Sequence, residues 1–198
     1  MTVELLIALA TFAVATVITP GPNNLMLMAS GANYGFWRSI PHMAGIGIGF
    51  PAMVVLVGLG VMQVFQIWPV ARTVLTVLSA AYLLWLAWKI AHAAPPGEAK
   101  PTGRPLRFWQ AAAFQWVNPK AWSMALSAIT LYAPGREATA VLWVAGAYVC
   151  ASVLSTTTWT VLGQQVRRIL TSPVRLRIFN WTMAIALIAA MLPALLTG

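Results

Sequence analysis

Two proline-containing motifs interrupt long apolar stretches of this chain, and one of them carries a lysine. Residues 19–24 read Thr-Pro-Gly-Pro-Asn-Asn, and residues 118–120 read Asn-Pro-Lys about half a chain later. Proline removes a backbone donor and pushes the preceding residue out of helical geometry, so each motif frees backbone groups that hydrocarbon cannot satisfy. Broken apolar segments at matching places in two halves of a chain indicate a transport site.

Lys120 has the clearest chemistry in these motifs. At about 1.5 Å per residue it lies roughly 17 Å into its apolar stretch, near the middle of a bilayer. A cation there costs about 2.5–3.5 kcal/mol and normally has a partner. The three acidic residues, Glu4, Glu98 and Glu137, lie near span ends or in loops. We expect a substrate carboxylate as the partner. Two alternatives stay open: the lysine reaches a water-filled end, or it satisfies carbonyls freed by Pro119.

The other candidate groups flank the two breaks or lie in the fifth apolar stretch. Asparagine side chains and the free amides of a restarted helix can hold a carboxylate. Hydroxyl groups within a span more often bond back to their own helix, and His42 and His92 are expected at the membrane interface. The predicted substrate-binding residues are Pro20, Gly21, Pro22, Asn23, Asn24, Gln115, Asn118, Pro119, Lys120 and Thr156.

The composition is that of a membrane protein. Of 198 residues, 60% are hydrophobic and 8% are charged, and the mean hydropathy is +0.80, which is too apolar for a soluble domain. The net charge of +9 comes from short loops between apolar runs. It therefore indicates orientation in the lipid bilayer and not nucleic-acid binding. The single cysteine, Cys150, excludes an intramolecular disulfide and a cysteine metal cluster.

The apolar runs predict an all-α membrane protein with six transmembrane helices. The first span covers residues 3–18, breaks and resumes over 25–32, and the others cover 43–65, 71–90, 108–132, 138–162 and 178–196. In the second span, Gly45 and Gly49 have the G-x-x-x-G spacing that lets helices approach closely. The proline-rich linker 94–105 separates pseudo-repeats 1–93 and 106–198 of one transmembrane domain, 1–198.

Loop charges predict the orientation. Nine basic residues fall on one side of the membrane, namely Arg38, Lys89, Lys100, Arg104, Arg107, Arg167, Arg168, Arg175 and Arg177, and two on the other, Arg72 and Arg136. The positive-inside rule places the heavier side in the cytoplasm and both termini in the periplasm. Because each half has an odd number of spans, the halves must be inverted, with Pro20 and Pro119 as matching breaks.

Five segments spread over both halves carry a family resemblance. They are residues 19–24, Gly-Phe-Trp-Arg-Ser at 35–39, the glycine-rich 44–50, Ala-Tyr-Leu-Leu-Trp-Leu-Ala-Trp-Lys at 81–89, and Asn-Pro-Lys-Ala at 118–121. Together they resemble the LysE/RhtB family of bacterial amino-acid exporters, and most of all its cysteine/O-acetylserine branch. The resemblance implies export of small amino acids across the inner membrane, with homoserine or threonine as the next substrates to consider.

We predict alternating access at a site between the two broken spans, with Lys120 holding the substrate carboxylate. Nothing acidic is placed to hold a second ammonium, so a neutral amino acid is favoured. A divalent-metal exporter would need a cluster of carboxylates, histidines or cysteines at membrane depth. An intramembrane enzyme would need a nucleophile with a base or a metal. We predict neither, and no cofactor or metal site; the coupling ion and a homo-oligomer stay open.

Overall fold

The computed structural model describes residues 1–61, 67–68, 70–93 and 104–196, which hold α-helices and no β-strand. The helices are α1 (Val3–Ile18), α2 (Pro22–Tyr34), α3 (Phe36–Gly58), α4 (Val70–Ala91), α5 (Phe108–Val117), α6 (Pro119–Tyr132), α7 (Ala138–Arg167) and α8 (Pro173–Leu196). Of the predicted linker, residues 94–103 lie outside the described ranges.

The predicted breaks are helix boundaries, and most predicted span ends lie close to helix ends. The second span is the exception, because α3 begins at Phe36 and not at residue 43. Gly35, with a φ of 79°, lies in the left-handed region that glycine adopts without strain. Its backbone N–H caps α2 through the carbonyl of Gly31, so the chain turns within one residue and the next helix starts at once.

Three helices are each long and apolar enough to cross a membrane: α3, residues 73–91 of α4, and α7. Helices α1 and α2 qualify together as a fourth crossing, bent by 59° at the break between them. The chain is therefore helical and suited to a bilayer over its described ranges. Six spans and an inverted repeat stay predictions.

Eight basic residues of the described ranges gather at one end of the bundle. One pocket there joins α2, α3, α4 and residues 104–106, and a second joins α4 to α8. The backbone N–H of Phe36 at the start of α3 also donates to Gln164 Oε1 near the end of α7, at 3.2 Å. We call this the basic end. The cations on the elements that meet there are Arg38, Lys89, Arg104, Arg107, Arg167, Arg168, Arg175 and Arg177.

The opposite end of the bundle joins the start of α1 to the end of α6. Tyr132 donates its hydroxyl to the carbonyl of Ala8 at 3.3 Å, and Gly58 at the end of α3 packs against Val141 of α7. Helix α7 lies at the centre of the bundle, since it packs against α1, α2, α3 and α6. The broken α1–α2 segment therefore runs along α7 from the opposite end to the basic end.

The G-x-x-x-G prediction is confirmed. A Cβ on Gly49 would lie 2.7 Å from Ala112 Cα, and one on Gly45 would overlap the carbonyl oxygen of Phe108. Helix α3 thus touches the backbone of α5 directly. This approach places α3 beside the second break, where Ile46 and Phe50 line the cavity described below.

We expect the basic end to face the cytoplasm, because positively charged loops are retained on that side during insertion. Reporter fusions after Gly198 and after Pro134, which is exposed in the turn before α7, should both be active only outside the cytoplasm. A fusion within residues 95–100 should be active only inside. If the Gly198 and 95–100 fusions report the same side, the number of crossings in the second half is even and the inverted repeat is wrong.

Candidate functional site

The first break spans residues 19–21, between α1 and α2. Thr19 has a ψ of 145° and Gly21 has φ and ψ near 180°, so the backbone is extended there. Pro20 disfavours a helical Thr19, and Pro22 occupies the first position of α2, where a missing N–H costs nothing. The two prolines thus end one helix and start the next, as the sequence predicts.

The carbonyls left free at the end of α1 are bonded by side chains. Asn24 Nδ2 donates to the carbonyls of Val17 at 2.7 Å and Thr19 at 2.8 Å. From α7, Ser155 Oγ donates to the Val17 carbonyl at 2.8 Å, and Trp159 Nε1 donates to that of Ile18 at 3.0 Å. The break is therefore satisfied inside the protein, as a membrane interior requires.

Lys120 reaches across from α6 to the same break. Its Nζ donates to the carbonyl of Thr19 at 2.8 Å, to the Thr19 hydroxyl at 2.8 Å and to the carbonyl of Pro20 at 3.4 Å. The side chain crosses Gly21 so closely that a Cβ there would lie 2.8 Å from Lys120 Cδ. The ammonium thus bonds carbonyls freed at the first break and not, as one alternative held, those freed by Pro119. These partners are all neutral.

The second break is a single residue. Asn118, with φ −96° and ψ 106°, is the only extended position between α5 and α6, and its Oδ1 accepts from the Lys120 N–H at 3.1 Å. Pro119 is the first residue of α6. Its counterpart by position in the helix is Pro22, the first residue of α2, and not Pro20 as the sequence comparison of the two halves suggested.

A pair of side-chain amides joins the two broken segments. Asn23 Nδ2 donates to Gln115 Oε1 at 2.8 Å, and Gln115 Nε2 donates to Asn23 Oδ1 at 3.2 Å and to the carbonyl of Ala111 at 2.8 Å. Gln115 is fully buried. This reciprocal pair fixes the distance between the start of α2 and the end of α5.

A small cavity lies between the breaks. Its lining residues are Val17, Gly21, Asn23, Asn24, Ile46, Phe50, Asn118, Lys120, Met124, Ser152, Ser155 and Thr156. The free space is about 20 Å³, roughly the room for one water molecule. An amino acid does not fit without movement, so the structure describes a closed arrangement of this site.

Six of the ten residues nominated from the sequence line this cavity: Gly21, Asn23, Asn24, Asn118, Lys120 and Thr156. Thr156 also donates to the Val153 carbonyl of its own helix at 3.3 Å. Pro20 is exposed, Pro22 and Pro119 shape the helix starts, and Gln115 lies behind Asn23.

Three residues of the hydrogen-bonded break were not nominated: Thr19, Ser155 and Trp159. Ser155 was considered only as one of several hydroxyls in the fifth span, which the sequence cannot rank by direction. Trp159 gave no usable signal, because it lies three residues from the predicted span end at 162, where tryptophan is typical of the membrane interface. Thr19 directly precedes a proline, which disfavours helical geometry at Thr19, so its carbonyl was expected to lie outside the helical hydrogen-bond pattern.

The side chains of this site are of the kinds that bind polar ligands. Among the described residues, no three of His, Cys, Asp and Glu come together as metal ligands. An ammonium, paired amides and hydroxyls between two broken helices suit a polar ligand that carries an anionic group. Helical membrane proteins with broken helices at a polar site are typically transporters.

Comparison with known proteins identifies the family. Residues 14–196 match the LysE type translocators, and the chain belongs to this family of translocators, which are not enzymes. Proteins called "Cysteine/O-acetylserine efflux protein" from Escherichia coli (strain K12), Escherichia coli O9:H4 (strain HS) and Shigella sonnei (strain Ss046) are each 33% identical over 172 residues. These alignments cover 85% of the chain and 87% of each relative. No solved structure matches the chain.

We expect the Asn23–Gln115 pair to show coupling in a double-mutant cycle. Asn23→Ala and Gln115→Ala should each lower the free energy of unfolding by about 1–3 kcal/mol, because each leaves a partly buried amide without its partner. The double variant should lose less than the sum, by about 0.5–1.5 kcal/mol. Unfolding in detergent measures all three. The control pair is Asn23→Ala with Asn180→Ala, whose effects on the free energy of unfolding should add. Additive effects of Asn23→Ala and Gln115→Ala would show that this amide pair contributes no coupling energy.

Proposed function

We propose that the protein exports a small neutral amino acid across the bacterial inner membrane, with cysteine or O-acetylserine first and homoserine or threonine next. The observation that carries this proposal is the Lys120 ammonium, held at the meeting point of the two breaks by neutral oxygens alone. Family membership and the names of the relatives support the same reading.

The bonding of Lys120 suits exchange for a carboxylate. The bonds from the ammonium to these oxygens are already charge-assisted, but a carboxylate adds a full negative charge, which attracts the ammonium more strongly than a carbonyl dipole does. An arriving substrate can therefore replace Thr19 and Pro20. Helix α2 begins at Pro22, and its N-cap residue Gly21 provides no side-chain hydrogen bond to the first amides. The start of α2 therefore adds a favourable field for the same anion.

The lining of the cavity favours a neutral and small side chain. No carboxylate lines it among the described residues, so a second ammonium, as in lysine, would be buried without a counter-charge. The hydroxyls of Ser152, Ser155 and Thr156 lie along the same wall on α7. They could bond the thiol of cysteine or the ester of O-acetylserine.

The closed cavity is consistent with alternating access. A substrate must enter from one side of the membrane and leave from the other, so the site has to open to each side in turn. We propose six spans in two inverted repeats, α1–α4 and α5–α8, with both termini in the periplasm. The pairing of equivalent helices supports this arrangement: α3 packs against α7, and α4 against α8. A pseudo-two-fold axis in the membrane would relate these pairs.

Transport by purified protein in liposomes tests the substrate class. Vesicles loaded with labelled O-acetylserine should release it, and unlabelled cysteine, homoserine or threonine should compete. Lysine and arginine should not compete, because their extra charge has no partner in the site. Release of lysine without competition from neutral amino acids would contradict the proposal.

Lys120→Met is expected to abolish export while leaving membrane insertion intact or improved. Methionine keeps an unbranched side chain over Gly21 but removes the charge, and the cost of a central cation disappears with it. Export rate and the amount of folded protein in the membrane are measured together. Thr19→Val is the control: it removes one bond to Lys120 but keeps the charge, and should retain most transport. Full transport in Lys120→Met would reduce the lysine to a capping group.

A further inference from the structure

A second polar pocket lies at the basic end, away from the two breaks. Its polar lining residues are Ser30, Asn33, Tyr34, His42, Lys89 and Arg104. Its free space of about 40 Å³ is room for roughly two water molecules, so an amino acid enters only when the pocket widens. It is formed where the end of α2 meets the start of α3, the end of α4 and the residues before α5. Because α2 also begins at the central cavity, one helix lines both places.

His42 is the unexplained group in this pocket. The sequence predicted an interfacial side chain, which is wrong: α3 begins before His42, and the residue is 1% exposed. Neither Nδ1 nor Nε2 has a hydrogen-bond partner. Buried polar groups are nearly always paired, so an imidazole that faces a pocket with both nitrogens free indicates a group that it binds there.

Two cations share the pocket with His42. Lys89 Nζ lies 5.4 Å from the ring centre of Trp85, and Arg104 is exposed at the rim. No carboxylate lines the pocket within the described ranges. Two of the other polar groups are already used: Asn33 is paired with Asn180, and Ser30 is bonded to Ser39 outside this lining. The polar groups left for a ligand are the two cations, the imidazole and the Tyr34 hydroxyl.

We propose that this pocket is a loading site, where the amino acid binds at the basic end before it reaches the central cavity. Lys89 and Arg104 hold its carboxylate, and the acceptor nitrogen of neutral His42 accepts a hydrogen bond from its ammonium. The linings of the two sites follow one another along α2, and Asn24 of the cavity and Ser30 of the pocket are about 9 Å apart along the helix at 1.5 Å per residue. The proposal rests on the proposed function in so far as the ligand is the exported amino acid.

Equilibrium binding tests the pocket without relying on transport. Calorimetry with O-acetylserine on the purified full chain should detect binding that survives in Lys120→Met. Lys89→Gln, Arg104→Gln and His42→Gln should each weaken it by about tenfold, the loss of one charge-assisted bond. Arg175→Gln, which changes an exposed cation at the same end outside the lining, should not. O-acetylethanolamine, which lacks the carboxylate, should bind no better to wild type than to Lys89→Gln.

The outcomes separate the two proposals. Unchanged affinity in all three pocket variants overturns the loading site and leaves export by the central site standing. Pocket-dependent binding in a chain that releases no amino acid from liposomes supports the site and overturns the exporter. Absence of any binding by wild type overturns the loading site as well.

Glu98 supplies an internal check. In sequence it lies between Ala93 and Arg104, which both line the pocket, and it falls outside the described residues. The effect of Lys89→Gln on affinity should be the same in a Glu98→Gln background. If that effect disappears there, Lys89 serves a carboxylate of the chain itself, and the loading site is overturned.

Discussion

The rest of the structure depends on where the carbonyls at the end of α1 find donors. A helix that stops inside a membrane leaves its last carbonyls without partners, and water cannot be assumed to supply them. Here the carbonyls of residues 17–20 are bonded by side chains from three helices: Asn24 of α2, Lys120 of α6, and Ser155 and Trp159 of α7. Satisfying one break therefore assembles the polar site, because it draws these helices together around it.

The same bonds explain how a closed site can open. Lys120 is held by a hydroxyl and two carbonyls, all of which a carboxylate outcompetes as a partner for an ammonium. A ligand shifts a conformational equilibrium only by the difference in its affinity for the two states. In the closed state there is room for about one water, so a substrate binds only an opened one. In the proposed mechanism, binding of the substrate carboxylate is therefore coupled to the release of the Thr19 and Pro20 carbonyls from Lys120.

Local chemistry in the sequence was enough to predict the breaks, the helices on either side and the central lysine, because proline acts on its immediate neighbours. The roles of Ser155 and Trp159 were not predictable, since the face of α7 that meets α1 is set by packing of the whole bundle. The same limit applies to His42: its position just before the predicted second span suggested an interfacial side chain, whereas a positive φ at Gly35 allows the helix to start early. The carbonyls that Lys120 bonds in the closed arrangement were not predicted, because carbonyls of a distant segment leave no trace in sequence.

The two breaks differ in a way that bears on which half moves. The second is satisfied locally: Trp122 Nε1 donates to the Trp116 carbonyl at 2.8 Å, and Asn118 caps α6. The first break spans three residues, and its carbonyls are bonded by donors from other helices. The stability of this extended segment therefore changes when those helices shift. A hinge needs a place where backbone angles can change without breaking a helix's own bonds. Residues 19–21 meet that condition better than Asn118 does, and this difference favours a hinge at the first break, with α5 and α6 as the support that presents Lys120.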